Sequence, residues 1–198
     1  MAKTLSDILS STLSAYTRGS HRYMDEFVQQ WQSASDLLTL GIYPNAKEIT
    51  ESYAAFNATR NHLKFVDRGD PNVTLVAVGD GRTPRTAALF AFKTNWKCIS
   101  IDPMLNESKI PFWESNIQRL KCVPEKIEDY EVTGGDIVIA AVHSHAPLSA
   151  ILENISGNRS LIAIPCCVPY EHSVPPSKQY RDAGIWSPKN LVKVWKAI

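Results

Sequence analysis

Residues 73–85, VTLVAVGDGRTPR, decide the fold of this chain. Five of the first six residues are apolar, and this run predicts a buried strand over 73–78. The strand leads directly into Gly79-Asp80-Gly81, where glycines let the backbone come close to a ligand. Pro84 suits the first turn of a helix, so we expect a helix to begin there. The stretch therefore raises the question of which ligand the glycine turn binds.

Strands alternate with helices along the rest of the chain. The pattern predicts strands at 97–101, 120–123, 136–142, 160–164 and 190–195, and helices at 86–92, 111–117 and 148–155. Such alternation is typical of a parallel sheet whose connections have a fixed hand. We therefore expect an α/β fold with a Rossmann-like, doubly wound and mostly parallel sheet, whose strand order is near 3-2-1-4-5. The segment 190–195 alternates in the manner of an edge strand.

The first 65 residues are predicted to be helical. Apolar residues recur at spacings of four, four, three and four, which predicts one apolar helix face made of Tyr23, Phe27, Trp31, Ala34 and Leu38. A second helix is expected from Asn45 onward. We predict a helical N-terminal extension over 1–66 that packs on a Rossmann-like core over 67–198, the two together forming one compact domain.

The composition is that of a globular protein. Of the 198 residues, 44% are hydrophobic and 21% are charged, which argues against disorder. A net charge of +1 gives no strong field toward nucleic acid or an anionic membrane. No apolar run approaches the roughly 20 residues of a transmembrane helix, and the N-terminus lacks the apolar core of a signal peptide. We expect a cytoplasmic protein without a membrane partner.

Four cysteines are present, and none belongs to a Cys-x-x-Cys pair: they are Cys98, Cys122, Cys166 and Cys167. This spacing is unlike that of zinc sites, so no metal is expected. Reduced and mostly buried thiols are the simplest interpretation.

Asp102 is the second indication of a ligand. It ends a predicted strand 23 residues after Gly79, where an acidic residue of a nucleotide-binding fold accepts hydrogen bonds from ribose hydroxyls. The alternative is that Asp102 only caps the turn before Pro103. A dinucleotide fingerprint would require glycine at position 84, which is Pro84. The pattern therefore favours an adenosine-containing ligand without a bridging diphosphate.

These features resemble the class I S-adenosylmethionine-dependent methyltransferases over roughly residues 70–170. The family's acidic-x-Gly-x-Gly-x-Gly loop reads AVGDGRT over 77–83, so that two glycines match while Ala77 and Thr83 replace the acid and the third glycine. The resemblance implies S-adenosylmethionine as cofactor. It implies that the loop residues Gly79, Asp80 and Gly81 wrap the methionine part, that Asp102 binds the ribose, and that Glu128 lies beside the adenine.

A narrower similarity concerns two later segments. Residues 142–147, VHSHAP, and 164–170, IPCCVPY, resemble segments of a methyltransferase-like group that includes the glutathione S-transferase C-terminal domain-containing protein. The Cys-Gly pair of the first segment is absent here. This similarity supports the fold more than an activity.

Two residues are candidates for catalysis. His143, also expected to contact the cofactor, has an ordinary pKa near neutrality and suits a general base. The alternative is a histidine hydrogen-bonded at the end of a strand. Cys166 follows a proline, as does the nucleophilic thiolate of cytosine C5 methylation, although here it follows the fifth strand rather than the fourth. The alternative is that Cys166 and Cys167 only pack where the strand leaves the sheet.

RNA is the acceptor that the basic and aromatic residues favour. The basic residues are Arg82, Arg85, Lys93, Arg119 and Lys121, and the aromatic residues that would stack on bases are Phe112 and Trp113. A solvated surface explains the basic residues equally well.

Two other functions stay open. The first is a catalytically inactive methyltransferase-like subunit that binds a protein partner, favoured by Ala77, by Thr83 and by a C-terminus that predicts fewer than the family's seven strands. The second is a nucleotide- or NAD-binding enzyme, which Pro84 disfavours.

Overall fold

The computed structural model describes residues 21–198, and the expectations for residues 1–20, including the absence of a signal peptide, lie outside that range. Within it, the helices are α1 (Arg22–Gln29), α2 (Trp31–Thr39), α3 (Ala46–His62), α4 (Arg85–Lys93), α5 (Ile110–Asn116) and α6 (Leu148–Asn154). The strands are β1 (Thr74–Val78), β2 (Lys97–Ile101), β3 (Leu120–Val123), β4 (Val132–Val142), β5 (Ile155–Ile164), β6 (Lys178–Arg181) and β7 (Leu191–Trp195). Two short 3-10 turns lie at Glu107–Lys109 and Ile127–Asp129.

These strands form one sheet in the order β3-β2-β1-β4-β5-β7-β6. Strands β1 to β5 are parallel to one another, and β7 runs antiparallel to both β5 and β6. The predicted Rossmann-like, doubly wound and mostly parallel fold is confirmed. The order reverses between β1 and β4, so the carboxyl ends of these two strands flank the switch point, where ligands bind in such sheets.

The C-terminal part of the sheet differs from the prediction. Strand β7 is an inner strand, and the sheet edge is formed by β6, which the sequence analysis did not predict. The residues of β6, KQYR, carry almost no apolar signal because this strand is largely exposed. With β6 included, the sheet has seven strands, so the expectation of fewer than seven is wrong.

The sheet is covered on both faces by apolar side chains that alternate along each strand. Leu75 and Val138 face the layer of helices α1 to α5, while Val76 and Ile139 face the layer that contains α6. Alternation is what a strand with period two requires when both faces are buried. None of the helices within residues 21–198 combines the length and the apolarity that a membrane span requires.

The N-terminal helices depart from one continuous apolar face. The helix is interrupted at Gln30, whose φ of −96° and ψ of 57° are not helical. The interruption rotates α2 relative to α1, so that Trp31 and Leu38 are 73% and 54% exposed, while Leu37 is buried instead. The predicted helix from Asn45 is confirmed, since the Asn45 side chain accepts a hydrogen bond from the backbone N–H of Glu48 at 3.1 Å.

A buried carboxylate fixes α1 to the C-terminal hairpin. Asp182, which is 1% exposed, accepts hydrogen bonds from the Tyr23 hydroxyl at 2.6 Å and from the Gly184 N–H at 2.8 Å, and pairs with Arg22. Burial, reinforced by the hydrogen bond to Asp182, raises the pKa of Tyr23, so its hydroxyl stays a donor.

We expect Asp182→Ala to lower the free energy of unfolding by about 3 kcal/mol, because buried donors lose their acceptor. Tyr23→Phe removes only the hydroxyl, which donates to Asp182 and accepts from the part-buried Arg22 at 2.9 Å, and should cost about 1–2 kcal/mol. Urea denaturation of the two variants and the parent chain measures both values. Equal losses would contradict the central role of Asp182.

Candidate functional site

The glycine turn after β1 is held in a left-handed conformation. Gly79 and Gly81 have φ of +79° and +82°, values that residues other than glycine rarely adopt. A Cβ atom on Gly79 would also lie 2.6 Å from Cβ and 2.8 Å from Cα of Ser144, far inside van der Waals contact. The absence of a side chain at Gly79 therefore lets the segments that follow β1 and β4 touch.

The side chain between these glycines points under the turn. Asp80 is 2% exposed and accepts hydrogen bonds from the N–H groups of Thr86 at 3.0 Å and Ala87 at 3.1 Å, and from the Ser100 hydroxyl at 3.1 Å. Burial raises the pKa of Asp80, although the nearby charge of Arg85 opposes the shift. The carboxylate caps the first turn of α4 and thereby supports the glycine turn. It does not line the cavity at the ends of the strands.

Asp102 connects the end of β2 to the glycine turn. One carboxylate oxygen accepts from the Gly81 N–H at 2.7 Å, and the other accepts from the Met104 N–H at 2.7 Å. The second bond is the turn cap that the sequence left as an alternative. Because each carboxylate oxygen has two lone pairs, both oxygens can still accept a hydrogen bond from a ligand.

A cavity of about 470 Å³ lies beyond the carboxyl ends of β1, β2 and β4. Its volume is within the range of small-molecule sites, roughly 300–1,000 Å³. It is lined by Val78, Gly79, Gly81, Arg85, Ile101, Asp102, Pro103, Met104, Lys126, Ile127, Glu128, His143, Ser144, His145, Ala146 and Pro147. The structure therefore brings Gly79, Gly81, Asp102, Glu128 and His143 together around one space. Cys166 lies outside this lining and donates its S–H to the backbone oxygen of His143 over 3.6 Å.

Both ring nitrogens of His143 face hydrogen-bond acceptors. Nδ1 lies 3.2 Å from Oε1 of Glu51, and Nε2 lies 3.0 Å from the backbone oxygen of Lys189. Only the imidazolium form donates from both nitrogens. Both ring nitrogens already have a partner, so His143 contacts a ligand through a ring nitrogen only after it releases Glu51 or the Lys189 oxygen. The left-handed φ of 52° at His143 places the ring in this position.

Glu51 is the partner that the sequence analysis did not identify. Its side chain is fully buried and also accepts from Nζ of Lys47 at 2.8 Å. Burial alone would raise the pKa of Glu51, but hydrogen bonds from His143 and Lys47 outweigh it and lower the pKa. Its second oxygen, Oε2, has no hydrogen-bond partner among residues 21–198. Glu48 adds a bond of 2.7 Å to Arg85, so a network of charged groups borders the cavity, with the fully buried Glu51 as one of its members.

The predicted basic and aromatic surface is not assembled as expected. Trp113 is fully buried and donates its ring N–H to the Leu40 oxygen at 3.0 Å, so the stacking role predicted for it is wrong. Phe112 remains 49% exposed. Four of the five predicted basic residues have intramolecular partners: these are Arg85 with Glu48, Lys93 over the Tyr53 ring, Arg119 with the Ala91 and Thr94 oxygens, and Lys121 with the Tyr130 hydroxyl.

Other lining residues adjoin the predicted ones and belong to two segments that the sequence places at the carboxyl ends of strands. Ser144 and His145 follow β4, and Lys126 and Ile127 follow β3. The available signal was their position directly after predicted strands, since the carboxyl ends of parallel strands meet at one edge.

Of the comparisons with known proteins, only that with solved structures finds similar proteins. No protein-family model matches the chain. No curated protein matches it either.

Several solved structures are similar to the chain. A mutant of MtNAS matches with a TM-score of 0.48 and 12% identity over 88% of this chain and 74% of the other. Coclaurine N-methyltransferase bound to N-methylheliamine and SAH matches with a TM-score of 0.47 and 14% identity over 96% and 67%. The 1,6-didemethyltoxoflavin-N1-methyltransferase of Burkholderia thailandensis with bound 1,6-didemethyltoxoflavin and S-adenosylhomocysteine matches with a TM-score of 0.38 and 13% identity over 100% and 76%. At these identities and TM-scores the fold assignment depends on the strand order, and the likeness says nothing of activity.

We expect Gly79→Ala to destabilise the chain far more than Gly81→Ala. Both substitutions impose a left-handed backbone on alanine, which costs about 1–2 kcal/mol. Only Gly79→Ala also forces Ser144 away from the turn. A Cβ on Gly81 would have the Arg85 side chain as its nearest contact, at 3.4 Å. Thermal unfolding measures the difference, at about 2–4 °C per kcal/mol. Equal melting temperatures would show that the contact with Ser144 is unimportant.

Proposed function

We propose that the chain binds S-adenosylmethionine in the cavity beyond β1, β2 and β4 and is a methyltransferase. The observation that carries the proposal is that one cavity collects the glycine turn, Asp102 and Glu128 at the switch point of the sheet. These residues are far apart in the chain and were predicted from the sequence to contact one cofactor.

The lining residues fit an adenosine-containing ligand. Asp102 is 8% exposed and keeps a free lone pair on each oxygen, which suits two ribose hydroxyls. Ile101 and Ile127 offer apolar surface for an aromatic base, and Glu128 supplies acceptors for its amino group. Gly79 and Gly81 line the cavity and have no side chains, so the turn presents backbone to a ligand there.

The chemistry divides between cofactor and protein. When bound, S-adenosylmethionine supplies an electrophilic methyl group. The protein needs to hold the acceptor in line with that group and to exclude water. His143 lines the cavity and is held by Glu51 through Nδ1. Its Nε2 can contact an acceptor, or serve as a base, once it leaves the Lys189 oxygen.

We further propose RNA as the first acceptor class to test. Arg82 and Lys126 are exposed beside the glycine turn and at the cavity, and Phe112 is exposed for stacking. The narrower similarity to the methyltransferase-like group with a Pro-Cys-Cys segment remains a prediction, since none of the three similar structures is named as a member of it. A cytoplasmic location likewise remains a prediction.

Titration calorimetry with S-adenosylmethionine and S-adenosylhomocysteine tests the cofactor, with NADH and ATP as controls. We expect selective micromolar binding, about −8 kcal/mol. Asp102→Ala should weaken it by about 10- to 100-fold, because charge-assisted hydrogen bonds of about 1.5–3 kcal/mol are lost. Asp136→Ala removes an exposed carboxylate that contacts Asn158, away from the cavity, and should leave binding unchanged.

Circular dichroism of both variants separates lost affinity from lost folding. No binding of either ligand to the parent chain would overturn the proposal, and unchanged binding in Asp102→Ala would overturn the ribose assignment. Transfer of a labelled methyl group to total RNA, compared with a protein extract and small amines, then tests the acceptor.

A further inference from the structure

The ends of β4 and β5 bring two thiols and an imidazole together beside the cavity. Nε2 of His145 lies 3.3 Å from Sγ of Cys167, and the Sγ atoms of Cys166 and Cys167 lie 3.4 Å apart. All three atoms lie within 4.8 Å of one another. His145 lies 22 positions before Cys167 in the sequence, but β4 and β5 are adjacent parallel strands whose carboxyl ends meet.

The separations between these atoms are close to those of one coordination sphere. With Zn–S bonds of about 2.3 Å and Zn–N bonds of about 2.0–2.1 Å, a tetrahedral ion sets its ligand atoms about 3.5 Å apart for S and N and about 3.8 Å apart for two sulfurs. The observed separations are shorter by a few tenths of an ångström. Since His145 and Cys167 are exposed, small side-chain rotations open the space, and solvent ions have access.

The segments that carry the three ligands are fixed to each other. The Tyr170 hydroxyl donates to the Ala146 oxygen at 3.1 Å, and the Tyr170 side chain is fully buried. The Lys193 ammonium donates to the Tyr170 oxygen at 2.8 Å, which connects the segment to β7. Preorganised ligands lose less conformational entropy when they bind an ion.

We propose that His145, Cys166 and Cys167 form a Zn²⁺ site with three protein ligands and one open position. Two thiolates and one imidazole are a ligand set that suits zinc, and sites with three protein ligands keep the fourth position for water or substrate. Binding converts both thiols to thiolates, so two protons are released for each ion that binds. His145 also lines the cavity, so the open position lies beside the proposed cofactor site.

This proposal departs from the expectation that the cysteine spacing disfavours zinc. That expectation considered neighbours along the chain, whereas the sheet supplies the proximity. The proposal does not depend on S-adenosylmethionine, because the metal can be measured with the cofactor absent.

Cobalt(II) and zinc(II) are the probes. The reduced chain, freed of metal with a chelator in the presence of a phosphine reductant, is titrated with Co²⁺ and followed by absorbance. We expect thiolate-to-cobalt charge-transfer bands at one equivalent, their loss on addition of one equivalent of Zn²⁺, and two protons released per Zn²⁺ by calorimetry in buffers of different ionisation enthalpy.

Cys167→Ser and His145→Ala should each weaken Zn²⁺ binding at least tenfold. His172→Ala is the matched control: His172 follows β5 as well, lies outside the cluster and bonds only within its own loop, to Val174. It should bind as the parent chain does. Thermal melting confirms that each variant folds. The proposal is wrong if the parent chain shows no charge-transfer band, or if the bands survive unchanged in Cys167→Ser and His145→Ala.

Discussion

The arrangement of the site depends on the buried carboxylate of Asp80. A carboxylate in a dry interior is costly unless hydrogen bonds replace its water. The unpaired N–H groups at the start of α4, those of Thr86 and Ala87, supply these bonds, and the Ser100 hydroxyl of β2 supplies another. One side chain therefore ties together the turn after β1, the helix that follows and the neighbouring strand. The raised pKa of Asp80 is the sign of how completely it is buried.

A turn fixed in this way determines what its neighbours can do. The Asp80 side chain points toward α4 and β2, and the N–H of Gly81 donates to Asp102. This second bond places the end of β2 at the cavity. Gly79, which lacks a side chain, lets Ser144 pack directly on the turn. The cavity thus lies where the ends of β1, β2 and β4 are joined by the Asp80 and Asp102 carboxylates and by the contact between Gly79 and Ser144.

Sequence reasoning succeeded where the signal is local. Strands such as β2 and the helix capped by Asn45 were predicted because period and capping chemistry lie within a few residues. The interruption at Gln30 and the polar edge strand β6 were missed, because neither changes the apolar pattern. The lining positions of Gly79 and Asp102 followed from spacing along the chain. Glu51 could not be found in this way, since its contact with a residue 92 positions later depends on how α3 packs on the sheet.

Three consecutive residues after β4, His143, Ser144 and His145, make contacts in three different directions. The left-handed conformation of His143 turns the chain sharply, so that its ring reaches Glu51, the next residue packs on Gly79, and His145 approaches Cys167. A continued strand would alternate side chains between two faces and could not make three contacts in three directions. A strained residue is retained only where the surrounding contacts determine its conformation. Glu51, Gly79 and Cys167 supply those contacts, and they hold the strained conformation of His143 at the site.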